Sequence, residues 1–286
     1  MMSNQLKDKI VVITGSTRGF GYVAAKDLLK AGATVIVSGR SKKALAEAIK
    51  SLAEFGSVTG WMCDVSQEKQ VYALARQTVK KFGRIDVWIN NAGYSAGGGI
   101  TLDIHPERIM DMFLTNDMGT FYGTQAALHF MLERKDGILV NLYGAGSNGK
   151  ASSPMGMYAT TKAWITSFTR TLAKETKGTG VKIIGFSPAM MLTDMLANPV
   201  VYGERGKEAM KNYNFVLRFL GKPPELAAKE LVKTLAQNRK EFAEVRVMKP
   251  WTPMLGLLRV AWENITKTGK TPGYQLHFEE SYKPKI

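Results

Sequence analysis

Short apolar runs rich in β-branched residues recur along the chain, and longer amphipathic stretches separate them. This alternation predicts βαβ units, in which helices connect parallel strands. Because the runs are apolar almost without interruption, we expect each strand to be buried on both faces of its sheet. The predicted strands are 10–15, 34–39, 58–65, 86–93, 137–144, 181–188 and 243–248, and the predicted helices are 19–31, 41–55, 68–82, 105–132, 155–177 and 225–239. The sequence therefore predicts an α/β fold, with a doubly wound seven-stranded parallel sheet and helices on both faces.

One domain accounts for most of the 286 residues, which suffice for a single large core. We expect it to cover residues 1–248, with an extension over 249–286. The segment 190–224, between the last two strands, is longer than a usual crossover and rich in methionine, so it is expected to form a lid over a substrate. The alternative is that these methionines are the core of a helix pair.

The extension carries one apolar stripe at helical spacing. Its members are Met254, Leu257, Leu258, Ala261, Trp262 and Ile265. Packing on the protein's own core or on a sister subunit would explain the stripe, and so would peripheral contact with a membrane or a cover over an apolar substrate. The sequence leaves these alternatives open.

Composition excludes several classes of function. The chain has 39 basic and 24 acidic residues, but the basic residues are spread out and not interleaved with aromatics, so we predict a basic surface that attracts an anionic ligand and no nucleic-acid partner. One cysteine and three scattered histidines predict neither an internal disulfide nor a metal site. The first residues contain only a short apolar run, so we expect no signal peptide, no transmembrane segment and a cytoplasmic location.

A glycine-rich turn, TGSTRGFG at 14–21, follows the first predicted strand and opens the first helix. Gly15 permits a tight turn, and Gly19 and Gly21 let backbone and helix approach each other closely. The helix N-terminus offers unpaired N–H groups to a pyrophosphate. In this position the turn predicts a Rossmann-type dinucleotide site.

The end of the second strand indicates which dinucleotide binds. An acidic residue there would hold a ribose 2′-hydroxyl, but the sequence VIVSGRSKK places Gly39 at that position and Arg40 after it. Arg18, inside the glycine-rich turn, could reach a 2′-phosphate at the same place, and guanidinium groups make charge-assisted contacts to phosphate. We therefore predict NADP(H) as the cofactor rather than NAD(H).

Tyr158 and Lys162 are four residues apart at the start of a predicted helix, so their side chains share one face. A nearby ammonium and an oxidised nicotinamide ring both favour the phenolate of a tyrosine. Such a tyrosine can give its proton to a developing alkoxide or take one from an alcohol. With the nucleotide site upstream, the pair predicts a proton-transfer site in which Lys162 also holds the nicotinamide ribose.

Six motifs in order make the chain resemble the short-chain dehydrogenase/reductase (SDR) family over residues 8–245. They are TGSTRGFG at 14–21, CDV at 63–65, NNAG at 90–93, Asn116 in TNDMGTFYGTQAA, YATTK at 158–162 and SPAMMLT at 187–193. The resemblance implies hydride transfer between a nicotinamide and a carbonyl or alcohol, and a homodimer or homotetramer. Two further stretches are similar to the chlorophyll b reductase branch, whose members reduce a formyl group on a tetrapyrrole. They are NLYGAGSNGKASSP and the MKP that precedes an apolar helix.

The resemblance also implies roles for single residues. Asn116 would kink its helix and hold a water that relays protons to Lys162. The SPAMMLT loop would close on the nicotinamide, with Ala189 in place of the family's glycine, and Asn90 would line the adenosine ribose and stabilise the central strand. The expected cofactor contacts are Gly15, Thr17, Arg18, Gly19, Phe20, Gly21, Arg40, Asp64, Val65, Asn91, Ala92, Gly93, Tyr158, Lys162, Pro188 and Thr193.

The family has a serine upstream of the tyrosine that polarises the substrate carbonyl, and this chain lacks it. The corresponding place falls on Gly144 or Ala145, and neither side chain can donate a hydrogen bond. Ser147 could take the role, backbone N–H groups of the turn or Tyr143 could polarise the carbonyl, or the reaction could have been lost. We favour Ser147, the nearest hydroxyl in the turn, although a serine also suits a turn on structural grounds alone.

Together these residues predict an NADPH-dependent reductase of a ketone or aldehyde, with Tyr158 as proton donor, Lys162, Asn116 and Ser147 as its catalytic partners and a bulky apolar substrate. The reverse oxidation of an alcohol is equally allowed. Two alternatives remain: a nucleotide-binding regulatory protein that has lost catalysis, and a formyl reductase similar to the chlorophyll b reductases.

Overall fold

The structure is a computed structural model that describes residues 5–249, 251–266, 268 and 273–284. The strands in these ranges are β1 Ile10–Ile13, β2 Thr34–Gly39, β3 Val58–Met62, β4 Val87–Asn90, β5 Gly98–Gly99, β6 Gly137–Leu142, β7 Val181–Ser187, β8 Val200–Tyr202, β9 Phe242–Arg246 and β10 His277–Glu279. The α-helices are α1 Gly19–Lys30, α2 Lys42–Leu52, α3 Glu68–Phe82, α4 Pro106–Phe113, α5 Gly119–Arg134, α6 Gly156–Glu175, α7 Asp194–Ala197, α8 Gly203–Ala209, α9 Tyr213–Leu220, α10 Pro224–Gln237 and α11 Thr252–Thr266.

Seven of the strands form one parallel sheet in the order β3-β2-β1-β4-β6-β7-β9. The order reverses at β1, which pairs with β2 on one side and with β4 on the other. In such sheets ligands bind outside the carboxyl ends of the strands at this switch point. The predicted doubly wound α/β fold is confirmed, and each predicted strand is present, most of them shorter than expected.

The two faces of the sheet carry separate apolar cores because side chains of a strand alternate between its faces. In β1, Val11 and Ile13 belong to the core beneath α1 and α10, whereas Ile10 and Val12 belong to the core beneath α3 and α5. Burial on both faces explains why the strand runs are apolar at nearly every position. Packing from both sides also fixes the carboxyl ends of the strands, where the site lies.

The helix predicted over 105–132 is three consecutive segments. α4 is followed by a π-helical turn, Leu114–Met118, and then by α5. The Thr120 hydroxyl donates to the carbonyl of Asn116 over 2.6 Å, so a side chain competes for that backbone group. π-Helical turns inside α-helices are frequent at functional sites. The widened turn lies where the family resemblance implies a kink at Asn116.

A second, three-stranded parallel sheet in the order β10-β8-β5 was not predicted. Its strands have two or three residues each, and β5 is a pair of glycines, so they carry no periodic pattern. The central strand, β8, lies in the segment 190–224, and β10 lies in the extension. This small sheet therefore joins the loop after β4, the expected lid and the extension.

The extension also contacts the lid segment through α11, which packs against α9. Gly256 faces α9 so closely that a Cβ on it would lie 2.4 Å from the carbonyl oxygen of Phe219. The predicted apolar stripe faces the other way, since Leu258, Trp262 and Ile265 are 61%, 67% and 78% exposed. It does not pack on the protein's own core. Within the described ranges, each helix is too short or too polar to cross a membrane.

Candidate active site

The glycine-rich turn lies against the loop that follows β4. Gly15 has a φ of +60°, and a Cβ on it would lie 2.8 Å from the Cα of Ala92. A Cβ on Gly21 would lie 2.4 Å from the side-chain nitrogen of Asn91. Both positions therefore need glycine. The turn brings backbone close to backbone and leaves the N-terminus of α1 as a cradle for a pyrophosphate.

Hydrogen bonds fasten this turn to the end of β4. The Thr14 hydroxyl oxygen accepts from the backbone N–H groups of Asn91 (3.0 Å) and Ala92 (3.1 Å). The Asn91 side chain donates to the carbonyls of Thr14 (2.8 Å) and Gly15 (3.0 Å). Asn91 thus supports the turn through its side chain, while Gly93 beyond it is exposed.

Arg18 and Arg40 extend from one edge of the nucleotide site. They follow Thr17 and Gly39, which are in contact, because a Cβ on Gly39 would lie 2.7 Å from the Thr17 methyl carbon. Both arginines are exposed. Any side chain at position 39, an acidic one included, would collide with Thr17. The end of β2 therefore lacks the carboxylate of an NAD(H) site, and the exposed Arg40 follows it.

Three more expected cofactor contacts, Asp64, Val65 and Phe20, differ in the groups they can present to a cofactor. The Asp64 carboxylate accepts from the Ser66 backbone N–H (3.0 Å) and hydroxyl (2.8 Å), which fixes the turn after β3. Val65 and Phe20 are buried, and the Phe20 ring stacks on Phe186 with centroids 6.3 Å apart. The side chains of Val65 and Phe20 belong to the cores, so these two residues can meet a cofactor mainly through their backbone.

The SPAMMLT loop folds over the glycine-rich turn. The position of a Cβ on Gly19 lies 3.9 Å from the side chain of Thr193. Pro188 is buried at the start of the loop, and Ala189 has a φ of +74°, in the region that favours glycine. Ala189 therefore adopts, at a cost in strain, a backbone conformation that suits glycine.

Tyr158 and Lys162 lie together on the first turns of α6, as predicted from their spacing. Lys162 is 4% exposed, its Nζ donates to the carbonyl of Leu142 over 3.1 Å, and it lies 5.6 Å from the centroid of the Tyr158 ring. Leu142 is the last residue of β6, so the carboxyl end of a central strand holds the ammonium in place. Tyr158 itself is partly exposed.

Burial sets the protonation of this group of side chains. Although Tyr158 is partly exposed, loss of hydration around its phenol raises its pKa to about 12, so the phenol carries its proton at neutral pH, as a proton donor must. The expected stabilisation of the phenolate does not come from the protein alone. Burial lowers the pKa of Lys162 to about 8 against the attraction of Asp117, and it raises the pKa of Asp117 to about 7 against the attraction of Lys162.

Asn116 connects the π-helical turn to both neighbouring parts of the cleft. Its side-chain oxygen accepts from the Tyr94 N–H (2.8 Å), and its amide donates to the Tyr94 carbonyl (2.9 Å) and the Thr161 hydroxyl (3.1 Å). The position of a Cβ on Gly93 lies 3.6 Å from the Asn116 side-chain oxygen. The structure thus brings Asn116 between the nucleotide loop and the helix of Tyr158 and Lys162.

The structure does not bring Ser147 to the Tyr158 hydroxyl. The Ser147 side chain is buried, accepts from the Gly144 N–H over 2.9 Å and donates to the carbonyl of Lys162 over 3.4 Å. Tyr143 points elsewhere too, because its hydroxyl donates to Glu244 over 3.2 Å. The hydroxyls of both candidate substitutes for the family's serine, Ser147 and Tyr143, therefore have partners other than Tyr158.

Gly144 is the residue that stands beside the tyrosine. A Cβ on it would lie 3.1 Å from the Tyr158 hydroxyl and 3.0 Å from Cγ of Lys162. Gly144 follows β6 closely and so occupies the place that strand-based matching gives to the family's serine. The consequence is a space next to the Tyr158 hydroxyl that a side chain would otherwise fill.

Sequence reasoning missed Asp117, which is 1% exposed and lies beside Asn116 in the π-helical turn. A carboxylate inside an otherwise apolar helix pattern was the available signal. It also missed that the Thr14 hydroxyl joins the glycine-rich turn to the backbone of Asn91 and Ala92. The sequence offers no signal for this, because these partners are 77 and 78 residues away.

The chain matches the family described as short chain dehydrogenase over residues 9–200. It belongs to the short-chain dehydrogenase family. It is 34% identical over 232 residues to chlorophyll(ide) b reductase NOL, chloroplastic, of Arabidopsis thaliana, covering 79% of this chain and 64% of that protein. It covers 52% of probable chlorophyll(ide) b reductase NYC1, chloroplastic, of Oryza sativa subsp. japonica, at 30% identity over 271 residues and 88% of this chain. The chain thus spans about half to two thirds of these relatives, and the likeness to the chlorophyll b reductase branch is confirmed.

Solved structures with the same fold contain either NADPH or NAD⁺. An actinorhodin polyketide ketoreductase variant with NADPH aligns with a TM-score of 0.71 at 25% identity, covering 85% of this chain and 97% of that one. NAD⁺-bound xylitol dehydrogenase aligns with a TM-score of 0.71 at 20% identity, covering 84% of this chain and 98% of that one. The fold alone therefore does not select between NADP(H) and NAD(H).

Proposed function

We propose that this short-chain dehydrogenase is an NADPH-dependent reductase of a carbonyl group on a bulky apolar substrate. One observation carries the proposal: the Tyr158 phenol lies with the buried Lys162 ammonium at the carboxyl end of β6, beside a turn that only glycines can form. A proton donor and a dinucleotide cradle at one sheet edge suit hydride transfer to a carbonyl. A homodimer or homotetramer and a cytoplasmic location stay predictions.

NADP(H) is the proposed cofactor because Arg18 and Arg40 flank the contact between Thr17 and Gly39. A hydrogen bond to a charged partner contributes about 1.5–3 kcal/mol, so we expect Arg40→Gln to weaken NADPH affinity by about 10- to 100-fold and to leave NADH affinity unchanged. Fluorescence titration measures both affinities. Arg239→Gln is the matched control, since this arginine precedes β9 at the opposite ends of the strands. A tenfold preference of the unmodified protein for NADH would overturn the assignment.

The protein's own groups act on the substrate oxygen. When bound, the nicotinamide supplies the hydride that reduces the carbonyl carbon. Tyr158 donates its phenolic proton to the oxygen as negative charge develops there. The Lys162 ammonium, held by the Leu142 carbonyl, stabilises the phenolate that remains. Asn116 holds the loop at Tyr94 against α6 and so fixes the position of this loop relative to Tyr158 and Lys162.

The carbonyl oxygen is proposed to sit in the space beside Gly144, within reach of the Tyr158 hydroxyl. Ser147 then has a supporting role, because its hydroxyl accepts from the Gly144 N–H and fixes the turn. Removing a general acid costs about 100- to 10,000-fold in rate. We expect a loss of this size for Tyr158→Phe and, because Ser147 only supports the turn, a loss below about tenfold for Ser147→Ala.

Turnover assays on a panel of aldehydes and ketones separate the remaining readings. Equal losses in Tyr158→Phe and Ser147→Ala would return the polarising role to Ser147. Full activity in both variants would show that Tyr158 is not the proton donor. No hydride transfer by the unmodified protein on any compound would favour a regulatory nucleotide-binding protein instead.

Reduction of a formyl group on a tetrapyrrole is the second candidate, and the similarity to chlorophyll(ide) b reductases favours it. Gly144 puts no side chain beside the Tyr158 hydroxyl, so a formyl oxygen could approach it there. Absorbance spectroscopy with chlorophyllide b and NADPH tests this directly. Turnover of small ketones at rates well above that of chlorophyllide b would exclude the tetrapyrrole as the preferred substrate.

A further inference from the structure

The outward side of α11 is a continuous apolar surface. Val260 and Gly256 are buried on the inner side, against α9. At 3.6 residues per turn, six of the exposed large side chains fall on about a third of the helix circumference, opposite those two residues, and Leu257, 52% exposed, lies at the border of this third. This surface, called the α11 face below, comprises Trp251, Met254, Leu255, Leu258, Trp262 and Ile265, each between 52% and 78% exposed. Contiguous apolar patches of this kind mark interaction sites, whereas isolated exposed side chains do not.

The charge of this part of the sequence favours one class of partner. The sequence from 249 to 270 has four basic residues, Lys249, Arg259, Lys267 and Lys270, against the single acid Glu263, and the whole chain carries +15. A second copy of this protein would bring the same positive charge, so self-association through the α11 face is opposed by repulsion. An anionic surface is attracted instead.

The dimensions of α11 and its tryptophans indicate how it would meet such a surface. With 15 residues it is shorter than the roughly 20 needed to span a bilayer. Trp251 and Trp262, near its two ends, have the amphipathic rings that favour the headgroup region. We propose that the α11 face docks the protein on an anionic lipid bilayer, with the helix lying in the plane of the interface. Because α11 packs on α9, docking holds the lid segment near the bilayer.

Vesicle co-sedimentation tests the docking. The unmodified protein is expected to pellet with phosphatidylcholine vesicles that contain phosphatidylglycerol, and less with phosphatidylcholine alone or at high salt. The double variant Leu258→Ser and Trp262→Ser should bind about tenfold more weakly or worse. The control is Leu102→Ser, an 80% exposed leucine on another segment, which should bind normally.

Equal binding by the double variant and the control would overturn the proposal, as would an unmodified protein that stays in the supernatant. Light scattering identifies the rival occupant: a dimer that the double variant converts to a monomer, without vesicle binding, would assign the face to a second copy. The substituted side chains are exposed, so urea unfolding should show unchanged stability in both variants.

A second, independent observation concerns Asp117 in the π-helical turn. This residue is 1% exposed, and its Oδ1 has no hydrogen-bond partner among the described residues. It lines a groove of about 340 Å³ between α4 and α6, in which the other lining residues carry no charge. A buried carboxylate oxygen without a partner is costly, so its presence requires a reason.

The position of Asp117 suggests that reason. The π-helical turn packs against α6, which carries Lys162, the charged group that acts on Asp117. Asn116 is next to Asp117 in the turn, and its side-chain groups are already bonded to Tyr94 and Thr161. Asp117 is therefore the group in the turn that can exchange a proton with the groove. We infer that Asp117 is a positioning residue that delivers protons from this groove to the pair of Lys162 and Tyr158, a role that rests on the proposed reductase function.

The proton balance is simple. After Tyr158 gives its proton to the product, the phenolate takes one from the Lys162 ammonium. The resulting amine takes the proton of the Asp117 carboxyl group, and the Asp117 carboxylate takes a proton from water in the groove. One solvent proton thus replaces the one that left with the alcohol, and no oxidant or reductant is needed.

Rapid-mixing kinetics on Asp117→Asn test this relay. Tyr158 is already protonated before the first turnover, so the single-turnover rate with bound NADPH should stay within about twofold of normal, while steady-state turnover falls about tenfold or more. Small carboxylic acids in the buffer should restore part of the steady-state rate. Thr160→Ala, which alters the same groove without removing a charge, should change neither rate. A parallel loss in both rates, or no loss, would overturn the relay.

Stability gives a readout that does not depend on activity. Burial raises the pKa of Asp117 from 3.8 to about 7, so between these values the unfolded chain has lost a proton that the folded protein keeps. Asp117 should therefore make the free energy of unfolding fall as pH rises through this range, and Asp117→Asn should remove this contribution while leaving that of Asp27, whose pKa burial also raises. An identical pH dependence in both proteins would overturn the assignment of Asp117, whereas inactivity of both would count only against the reductase.

Discussion

Replacing Gly15 by alanine tests the close approach that shapes the nucleotide turn. Its φ of +60° strains an L residue, and the new Cβ would lie 2.8 Å from the Cα of Ala92. Gly83, which follows α3, has a φ of +77° and nothing within 4 Å of its Cβ position. Gly83→Ala therefore carries the conformational strain alone, whereas Gly15→Ala carries the strain and the collision.

The two contributions can be worked out separately. Left-handed backbone costs an L residue about 1–2 kcal/mol, and the smaller entropy of the unfolded alanine chain offsets about 0.4–1 kcal/mol of this. We expect Gly83→Ala to lower the free energy of unfolding by about 1 kcal/mol. Overpacking adds about 1–3 kcal/mol, so Gly15→Ala should lower it by about 2–4 kcal/mol.

Equilibrium urea unfolding measures both losses, with the slope of the transition checked for equality between the variants. NADPH titration supplies the functional readout: Gly83→Ala should bind NADPH normally, and Gly15→Ala should lose about tenfold or more because Ala92 and the turn move apart. Equal destabilisation of the two variants, with equal NADPH affinity, would refute the reasoning, since the contact with Ala92 would then constrain nothing.

Three further predictions concern the interior and the proton donor. Asn90→Ala removes a buried amide that accepts from Trp88 and donates to Asn141, and it should lower the free energy of unfolding by about 3 kcal/mol; a loss below about 1 kcal/mol in urea would contradict this. Ala189→Gly relieves a φ of +74° and should raise that free energy by up to about 1 kcal/mol, seen as a higher melting temperature with activity retained. Burial lowers the pKa of Lys162 to about 8, so its ammonium form is present below that pH and lost above it. The kcat for carbonyl reduction should therefore fall as pH rises through about 8, and a rate that stays constant to pH 10 would count against Lys162.

Much of the fold could be predicted because burial on both faces leaves a continuous signal. Val11 and Val12 face opposite cores, and both must be apolar, so the strand is visible in the sequence. β5 was invisible because two glycines have no side chains to bury and can occur in any turn. The π-helical turn was hidden because its apolar spacing continues that of the flanking helices.

The site was predictable to the extent that it depends on local spacing. Tyr158 and Lys162 are neighbours on any α-helix, so their pairing needed no tertiary information. The direction of the Ser147 hydroxyl depends instead on the Gly144 N–H across a turn, which sequence spacing does not determine. The burial of Asp117 depends on how α4 and α6 pack, so its importance appears only once the helices are assembled.

The small sheet sets an order in which the protein can mature. β10 is the last strand of the described chain, and it completes that sheet by pairing with β8. Every strand of the main sheet precedes it, and domains begin to form as a chain is synthesised from its N-terminus. A growing chain can therefore form its glycine-rich turn and main sheet while the edge of β8 that pairs with β10 is still unpaired. The nucleotide cradle can thus be complete before β10 joins the small sheet.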